Sequence, residues 1–221
     1  MRGSCQGALC FDSEAFIMAY NKRDHYYHKA KEDNFAARSI YKLEEIDQKY
    51  KIIKAGMKCL DLGAAPGSWS QYLSQKVGEK GRVLGVDLIR VALTLPNAVF
   101  IHADLRDINL DQIFIEHGFE PVFDGVFSDM APKTTGIRFT DQARSMELCE
   151  LALNVADRFL RPGGNFVCKF FHSDEFAELK KMMEARFGRV EVLRPKSTRK
   201  ESKEIFLIGI SKKKPNPVSP A

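Results

Sequence analysis

Lys58-Cys59-Leu60-Asp61-Leu62-Gly63-Ala64-Ala65-Pro66-Gly67-Ser68-Trp69 is the stretch that decides how this chain is read. A short apolar run ends in an acid. A turn of Gly, Ala and Pro follows, and then an amphipathic segment with helical spacing, Ser68–Val77. Strand, small-residue turn and helix, in that order, form the unit with which a parallel α/β sheet delivers a ligand to the carboxyl ends of its strands. Small residues let the backbone come close to that ligand, and an ionised carboxylate offers it hydrogen-bond acceptors.

The alternation continues along the chain. Strands are expected at Arg82–Asp87, Val99–His102, Val122–Ser128, Asn165–Phe171, Arg189–Leu193 and Glu204–Ser211, besides Lys58–Leu62. Apolar residues recur at helical spacing over Phe35–Tyr50, Leu110–His117 and Asp174–Phe187. A long helix capped by Thr140 runs to Leu160, where Arg161-Pro162-Gly163-Gly164 stops it. This pattern predicts an α/β fold, a doubly wound, seven-stranded and mostly parallel sheet with right-handed crossovers. Only residues 194–203 separate the final two strands. That is short for a parallel crossover, so the last strand is expected to be antiparallel.

The chain has 221 residues, 44% of them hydrophobic, which suits one such domain. The expected division is a flexible leader and basic arm at 1–34, a single domain at 35–211, and a disordered basic and Pro-rich tail at 212–221. Residues 1–17 differ in character from the rest, and Met18 fits a natural start. No apolar run reaches the roughly 18 residues that span a bilayer, and no secretory signal pattern opens the chain. The five cysteines are scattered, and Cys59, Cys149 and Cys168 lie in apolar runs. They read as reduced core residues, Cys5 and Cys10 lack metal-ligating neighbours, and no metal site is expected. The formal net charge of +5 is concentrated near the two ends. Lys22, Arg23, Lys29, Lys31, Arg38 and Lys42 gather near the start, and Arg194, Lys196, Arg199, Lys200 and Lys203 near the end. Such segments can form one surface for a polyanion.

Four acids end or follow predicted strands: Asp61, Asp87, Asp104 and Asp129. In an open α/β sheet they ring one crevice. The loop Gly63-Ala64-Ala65-Pro66-Gly67-Ser68 lacks the G-x-G-x-x-G of a dinucleotide site, and Pro66 removes an N–H that a phosphate would need. Acids around such a loop favour a cationic or zwitterionic ligand that carries a ribose. S-adenosylmethionine fits, with Asp87 on ribose hydroxyls and Asp104 near the adenine amino group. Lys169 stands inside the apolar run Val167–Phe171, where burial is costly unless its charge is paired or lost.

Together the motifs resemble the FtsJ/RrmJ family of S-adenosylmethionine-dependent RNA 2′-O-ribose methyltransferases. The resemblance rests on ARSIYKLEEID around Lys42, DLGAAPGSWSQ at 61–71, GVDL at 85–88, SDMAPKTTG at 128–136, LRPGG at 160–164, VCKFF at 167–171 and SKEIFLIG at 202–209. It implies a Rossmann-like methyltransferase with a Lys-Asp-Lys-Glu tetrad at Lys42, Asp129, Lys169 and Glu204. Its cofactor contacts fall on Gly67, Trp69, Asp87, Asp104 and Asp129, and Asp61, Gly63 and Pro66 of the same strand and turn are further expected cofactor contacts. The implied substrate is a uridine of large-subunit rRNA. Another RNA (tRNA or an mRNA cap), a nucleobase or small-molecule acceptor, and an assembly factor with a vestigial site are the alternatives. Lys169 has two open roles, as a neutral base or as a cationic orienter of the sugar hydroxyl. Lys22, Arg23, Lys29, Lys31, Arg38, Arg194, Lys196, Arg199 and Lys200 are the expected RNA contacts, with His25, Tyr26 and Tyr27 available to stack on a base. The expected state is a cytoplasmic monomer, with the mitochondrial matrix and nucleus as other compartments.

Overall fold

Each central strand sorts its side chains into two cores by simple alternation. In the computed structural model, which describes residues 25–106, 109–199 and 201–214, Leu60, Leu84, Val126, Phe166 and Leu207 point to one face of a sheet. Cys59, Val83, Phe127, Val167 and Phe206 point to the other. The elements in chain order are α1 (His25–Glu32), α2 (Ile40–Tyr50), β1 (Lys58–Leu62), α3 (Ser68–Val77), β2 (Arg82–Asp87), β3 (Ala98–His102), α4 (Leu110–Glu116), β4 (Phe123–Ser128), α5 (Arg138–Phe159), β5 (Leu160–Phe171), α6 (Phe176–Arg186), β6 (Phe187–Leu193) and β7 (Glu204–Lys212).

The strands lie in the order β3-β2-β1-β4-β5-β7-β6. All pairs are parallel except those of β7, which runs antiparallel to both β5 and β6. Helices α4, α5 and α6 cover the first face, and α2 and α3 the second. The strand order reverses between β1 and β4, so a crevice opens at their carboxyl ends.

Several expectations shift. The helix expected from Phe35 starts at Ile40, and β5 begins at Leu160 rather than Asn165. Lys212, expected to open a disordered tail, ends β7, with its Nζ donating to the carbonyls of Ala156, Asp157 and Leu160. The segment expected to be a flexible arm holds α1 from His25 to Glu32, with Ala30 buried. Tyr26 packs on Tyr41 of α2 at 5.4 Å, an apolar contact that the many polar neighbours obscure in the sequence. The long helix starts at Arg138, before Thr140. In place of a Thr140 cap, the Asp141 carboxylate accepts hydrogen bonds from the backbone N–H groups of Thr135 and Gly136 and from the Thr135 hydroxyl. An acid in the first helical turn also suits the helix dipole. Lys22, Arg23, Lys200 and the leader with Cys5 and Cys10 lie outside the described residues.

Helix α2 carries Lys42 and is tied down by a buried acid. The Asp47 carboxylate accepts from the Ile53 N–H (2.9 Å) and the Tyr72 hydroxyl (3.0 Å), linking α2 to the loop that leads to β1 and to α3. Removing it strands two buried donors, each worth about 1–3 kcal/mol when left unpaired. Asp47→Ala is therefore expected to lower unfolding free energy by about 2–4 kcal/mol in urea titration, with a smaller loss in Asp47→Asn.

Candidate active site

Gly63 and Gly67 shape the turn after β1. Both have positive φ, 80° and 113°. A Cβ on Gly63 would stand 2.7 Å from Met130 Cγ, and one on Gly67 would stand 2.8 Å from Leu93 Cδ2. The loop after β1 is thus pressed against the loops after β4 and β2, and a side chain at either glycine would force them apart. The Ala65 N–H donates to Asp87 Oδ2 (2.8 Å), and the Ile89 N–H to Asp87 Oδ1 (2.7 Å). Asp87 therefore joins two loops at the tip of β2 and retains acceptor capacity on each oxygen.

These loops enclose a cavity of about 690 Å³ at the carboxyl end of the sheet. Gly63, Asp87, Asp104 and Asp129 line it. Asp104 Oδ1 accepts from the Arg106 N–H at 2.9 Å. Apolar walls come from Leu88, Ile89, Leu105 and Met130. Lys133, Arg144 and Glu147 also line the cavity. The last two sit on α5 outside any recognisable motif, whereas Met130 and Lys133 lie within Ser128–Gly136 and were within reach of sequence reasoning.

Four expected cofactor contacts do not line the cavity: Gly67 is buried within the turn, and three others sit elsewhere. Pro66 is exposed beside the cavity, and Asp61 is fully buried below the loop. Trp69 is 2% exposed. Its indole N–H donates to the Ser39 carbonyl (2.9 Å), and its ring packs 5.7 Å from that of Phe206. It joins α3, α2 and β7, because a large ring with one donor gains most where its face is dry and its N–H is paired.

Asp61 Oδ2 accepts from the Ser70 hydroxyl at 2.6 Å, while Oδ1 is buried without a partner. Burial pushes its carboxyl up to about 7, the Ser70 bond opposing and the Asp129 and Asp87 charges adding to the rise. An orphan acceptor under a glycine cradle, with acids at the tips of β2 and β3, forms an acceptor-rich donor set. It matches a ligand bearing a cationic centre, hydroxyls and an amine.

At the centre of the sheet edge, Lys169 Nζ donates to the Asp129 carbonyl (2.6 Å) and lies 3.0 Å from Asp129 Oδ1. That second contact is an ion pair without an aligned hydrogen bond, so Oδ1 has no aligned donor. Lys42 Nζ pairs with Glu204 Oε1 at 2.6 Å and sits 5.9 Å from the centre of the Phe206 ring. Phe206 lies directly opposite Lys169 across the β5–β7 pair, and Glu204 opposite Phe171. Opposed residues share a face, so Lys169, Phe206 and Glu204 all turn toward α2. The four expected residues thus come together as two ion pairs, with side chains 8–16% exposed.

The basic residues near the two ends also meet. Glu45 accepts from the N–H groups of Lys196 and Ser197 (2.6 and 2.9 Å), fastening the loop after β6 onto α2. Arg38 donates to the Ser197 carbonyl, and Arg194 to the carbonyls of Arg199 and Ser202. Lys29, Arg194 and Lys196 share a groove with Tyr26 and Tyr41. Lys31 stands over the Tyr27 ring at 4.7 Å.

Residues 35–212 match the family model described as FtsJ-like methyltransferase. A Bdellovibrio bacteriovorus protein named ribosomal RNA large subunit methyltransferase E is 69% identical over 196 residues, covering 89% of this chain and 100% of that protein. Its namesake from Nitratidesulfovibrio vulgaris is 51% identical, over 84% of this chain and 91% of its own length. Among solved structures, a ribosomal RNA methyltransferase from Plasmodium falciparum superposes with a TM-score of 0.71 at 27% identity, over 80% of this chain and 98% of that one. Fibrillarin from Aeropyrum pernix, solved with natively bound S-adenosyl-L-methionine, shares the fold, with a TM-score of 0.50 at 19% identity over 72% and 68% of the chains.

The raised Asp61 carboxyl has a signed consequence. Between the ordinary value of 3.8 and about 7, the folded chain holds more protons at this site than the unfolded chain. Stability from this group is therefore lost as pH rises through that window and is level above it. Asp61→Asn removes the titration and keeps an acceptor for Ser70. The denaturation midpoint of the variant, minus that of the unaltered protein, is expected to increase from pH 4 to pH 7 and then stay flat. A difference that does not change with pH would contradict the assignment.

Proposed function

The chain belongs to the FtsJ-like methyltransferase family, and we propose that this enzyme transfers the methyl group of S-adenosylmethionine to a ribose 2′-hydroxyl of large-subunit rRNA, at a uridine. The observation that supports this reading best is the Lys169–Asp129 pair, whose carboxylate also lines the cavity at the sheet edge. Gly63, Asp87 and Asp104 are the residues assigned to holding the cofactor, with Gly67 shaping the turn and Asp61 supporting it from beneath. When bound, it supplies a methyl group made electrophilic by a sulfonium.

The chemistry left to the protein is alignment and proton handling. A sugar hydroxyl is a weak nucleophile until its proton begins to leave. The Asp129 carboxylate, which lines the cavity, is assigned to accept the hydrogen bond of that hydroxyl. Lys169 already gives one N–H to the Asp129 carbonyl. As an ammonium it keeps donors to hold the hydroxyl oxygen and to stabilise the negative charge that develops there. The orienting role is therefore assigned over the neutral-base role. The Lys42–Glu204 pair lies beside this point on the α2 side and holds the approach of the sugar. Fixing the two reacting groups in line can contribute roughly 7–11 kcal/mol in favourable systems.

The RNA-binding surface is assigned to Lys29, Lys31, Arg38, Arg194, Lys196 and Arg199, with Lys22, Arg23 and Lys200 as further candidates outside the described residues. Arg38 and Arg194 also hold the loop after β6 in place. We take residues 35–211 as the catalytic domain of a cytoplasmic monomer that acts on a ribosomal subunit. Among the described residues no helix is long and apolar enough to cross a membrane.

Incubation with labelled methyl donor and ribosomal particles, followed by nucleoside analysis, tests the reading. A 2′-O-methyluridine is expected; a methylated base or no product refutes it. Lys169→Ala is expected to abolish turnover while cofactor binding persists, and Lys169→Arg to keep part of the rate if orientation is the role. RNA affinity is expected to fall steeply with added salt, as phosphate contacts require.

A further inference from the structure

The start of α5 carries two large apolar side chains that the core does not use. Phe139 is 80% exposed and Ile137 is 64% exposed. Their position is held by named bonds. Asp141 binds the N–H groups of Thr135 and Gly136, at 2.7 and 3.2 Å. Arg144 donates to the Lys133 carbonyl at 3.4 Å, and both residues line the cavity beside Asp129. Gln142 Nε2 donates to the carbonyl of His172 (2.8 Å), which lies just past β5, the strand that carries Lys169.

Phe139 and Gln142 are three apart on the helix and so share a face. Phe139 therefore lies one turn before the Gln142 contact with the end of β5, on the α5 side of the sheet, while Lys42, Glu204 and the loop after β6 stand on the α2 side. His172 is exposed, with its ring stacked on Phe176 at 5.4 Å. Lys133 and Arg138, both exposed, flank the patch. An apolar patch with a cationic border matches a single nucleic-acid strand, which is charged along its backbone and apolar on its base faces.

We propose that Phe139, backed by Ile137, stacks on an unpaired base of the substrate RNA, the base that leaves its own stack when the acceptor ribose reaches the Lys169–Asp129 pair. Lys133 and Arg138 hold the adjoining phosphates. The RNA is then gripped on both sides of the sheet edge, by charge on the α2 side and by stacking on the α5 side. Sequence-specific RNA enzymes commonly read splayed-out bases on aromatic rings in this way. The inference rests on the RNA methyltransferase reading above.

The test uses the full chain and ribosomal particles. Phe139→Ala is expected to raise KM for the particle about five- to a hundred-fold, the range that loss of one base–aromatic stack produces, with cofactor affinity and unfolding midpoint unchanged. Phe139→Trp should retain low KM. Phe139→Leu, apolar but without a π face, should behave like the alanine variant. Full rescue by leucine overturns stacking and points to an apolar contact with a ribosomal protein. An unchanged KM in the alanine variant also overturns it.

A direct readout is available because Trp69, the chain's single tryptophan, is buried. In Phe139→Trp the added indole emission should be quenched by an oligouridylate and not by an abasic strand of equal length. Equal quenching by both strands overturns stacking. Failure of the RNA methyltransferase reading is distinguished by absence of product with the unaltered protein.

Discussion

The site depends on one buried amine finding its partner. Lys169 sits among Val167, Cys168 and Phe170, all fully buried, where an unpaired ammonium would be prohibitively costly. Asp129 meets that need only because Ser128, the residue before it, lies opposite Cys168, the residue before Lys169, in the β4–β5 pair. A one-residue slip in that register would turn Lys169 to the α5 face and place it in the larger apolar core. Register, burial and charge are therefore a single constraint. The same holds for β7, whose antiparallel pairing sets Phe206 against Lys169 and brings Glu204 to Lys42.

Several polar residues that might be assigned to chemistry instead support it. Asp47 fastens α2 to the loop before β1 and to α3, and Glu45 fastens the loop after β6 to α2. Trp69 fills the joint among α2, α3 and β7. These contacts decide where Lys42 stands, because its helix makes no strand pairing of its own. Asp61 differs: half of its carboxylate is bonded to Ser70 and half is orphaned beneath the glycine turn. A protein that retains so poorly solvated an acid at that point carries a local destabilisation beside its ligand cavity, a common property of binding sites.

The strand–turn–helix unit at 58–77, the alternation after it and the short link before β7 were legible because each is a local pattern. Short apolar runs, buried on both faces, write β4 and β7 into the sequence, and a loop of ten or so residues leaves little choice of direction for the final pair. The four tetrad positions were legible through motif resemblance, and Lys169 through its anomaly in an apolar strand. The helical arm segment at 25–32 was not, since its stability comes from Tyr26 against Tyr41 and from one buried alanine, contacts made with distant parts of the chain. Lys133 was readable as part of a motif, but Arg144 and Glu147 were not, because a helix face has no signature until its neighbour is known.

By itself the sequence determined the fold class, the family and the residue types available at the sheet edge, since these follow from periodicity, turn chemistry and motif order. Only the tertiary structure decided which of them meet. It paired Lys169 with Asp129 and Lys42 with Glu204, and it drew Trp69 and Asp61 out of the cavity. It also left Phe139 in solvent beside the reacting edge. Those outcomes turn on strand register and helix docking, which depend on contacts between residues far apart in the chain and so leave no local trace.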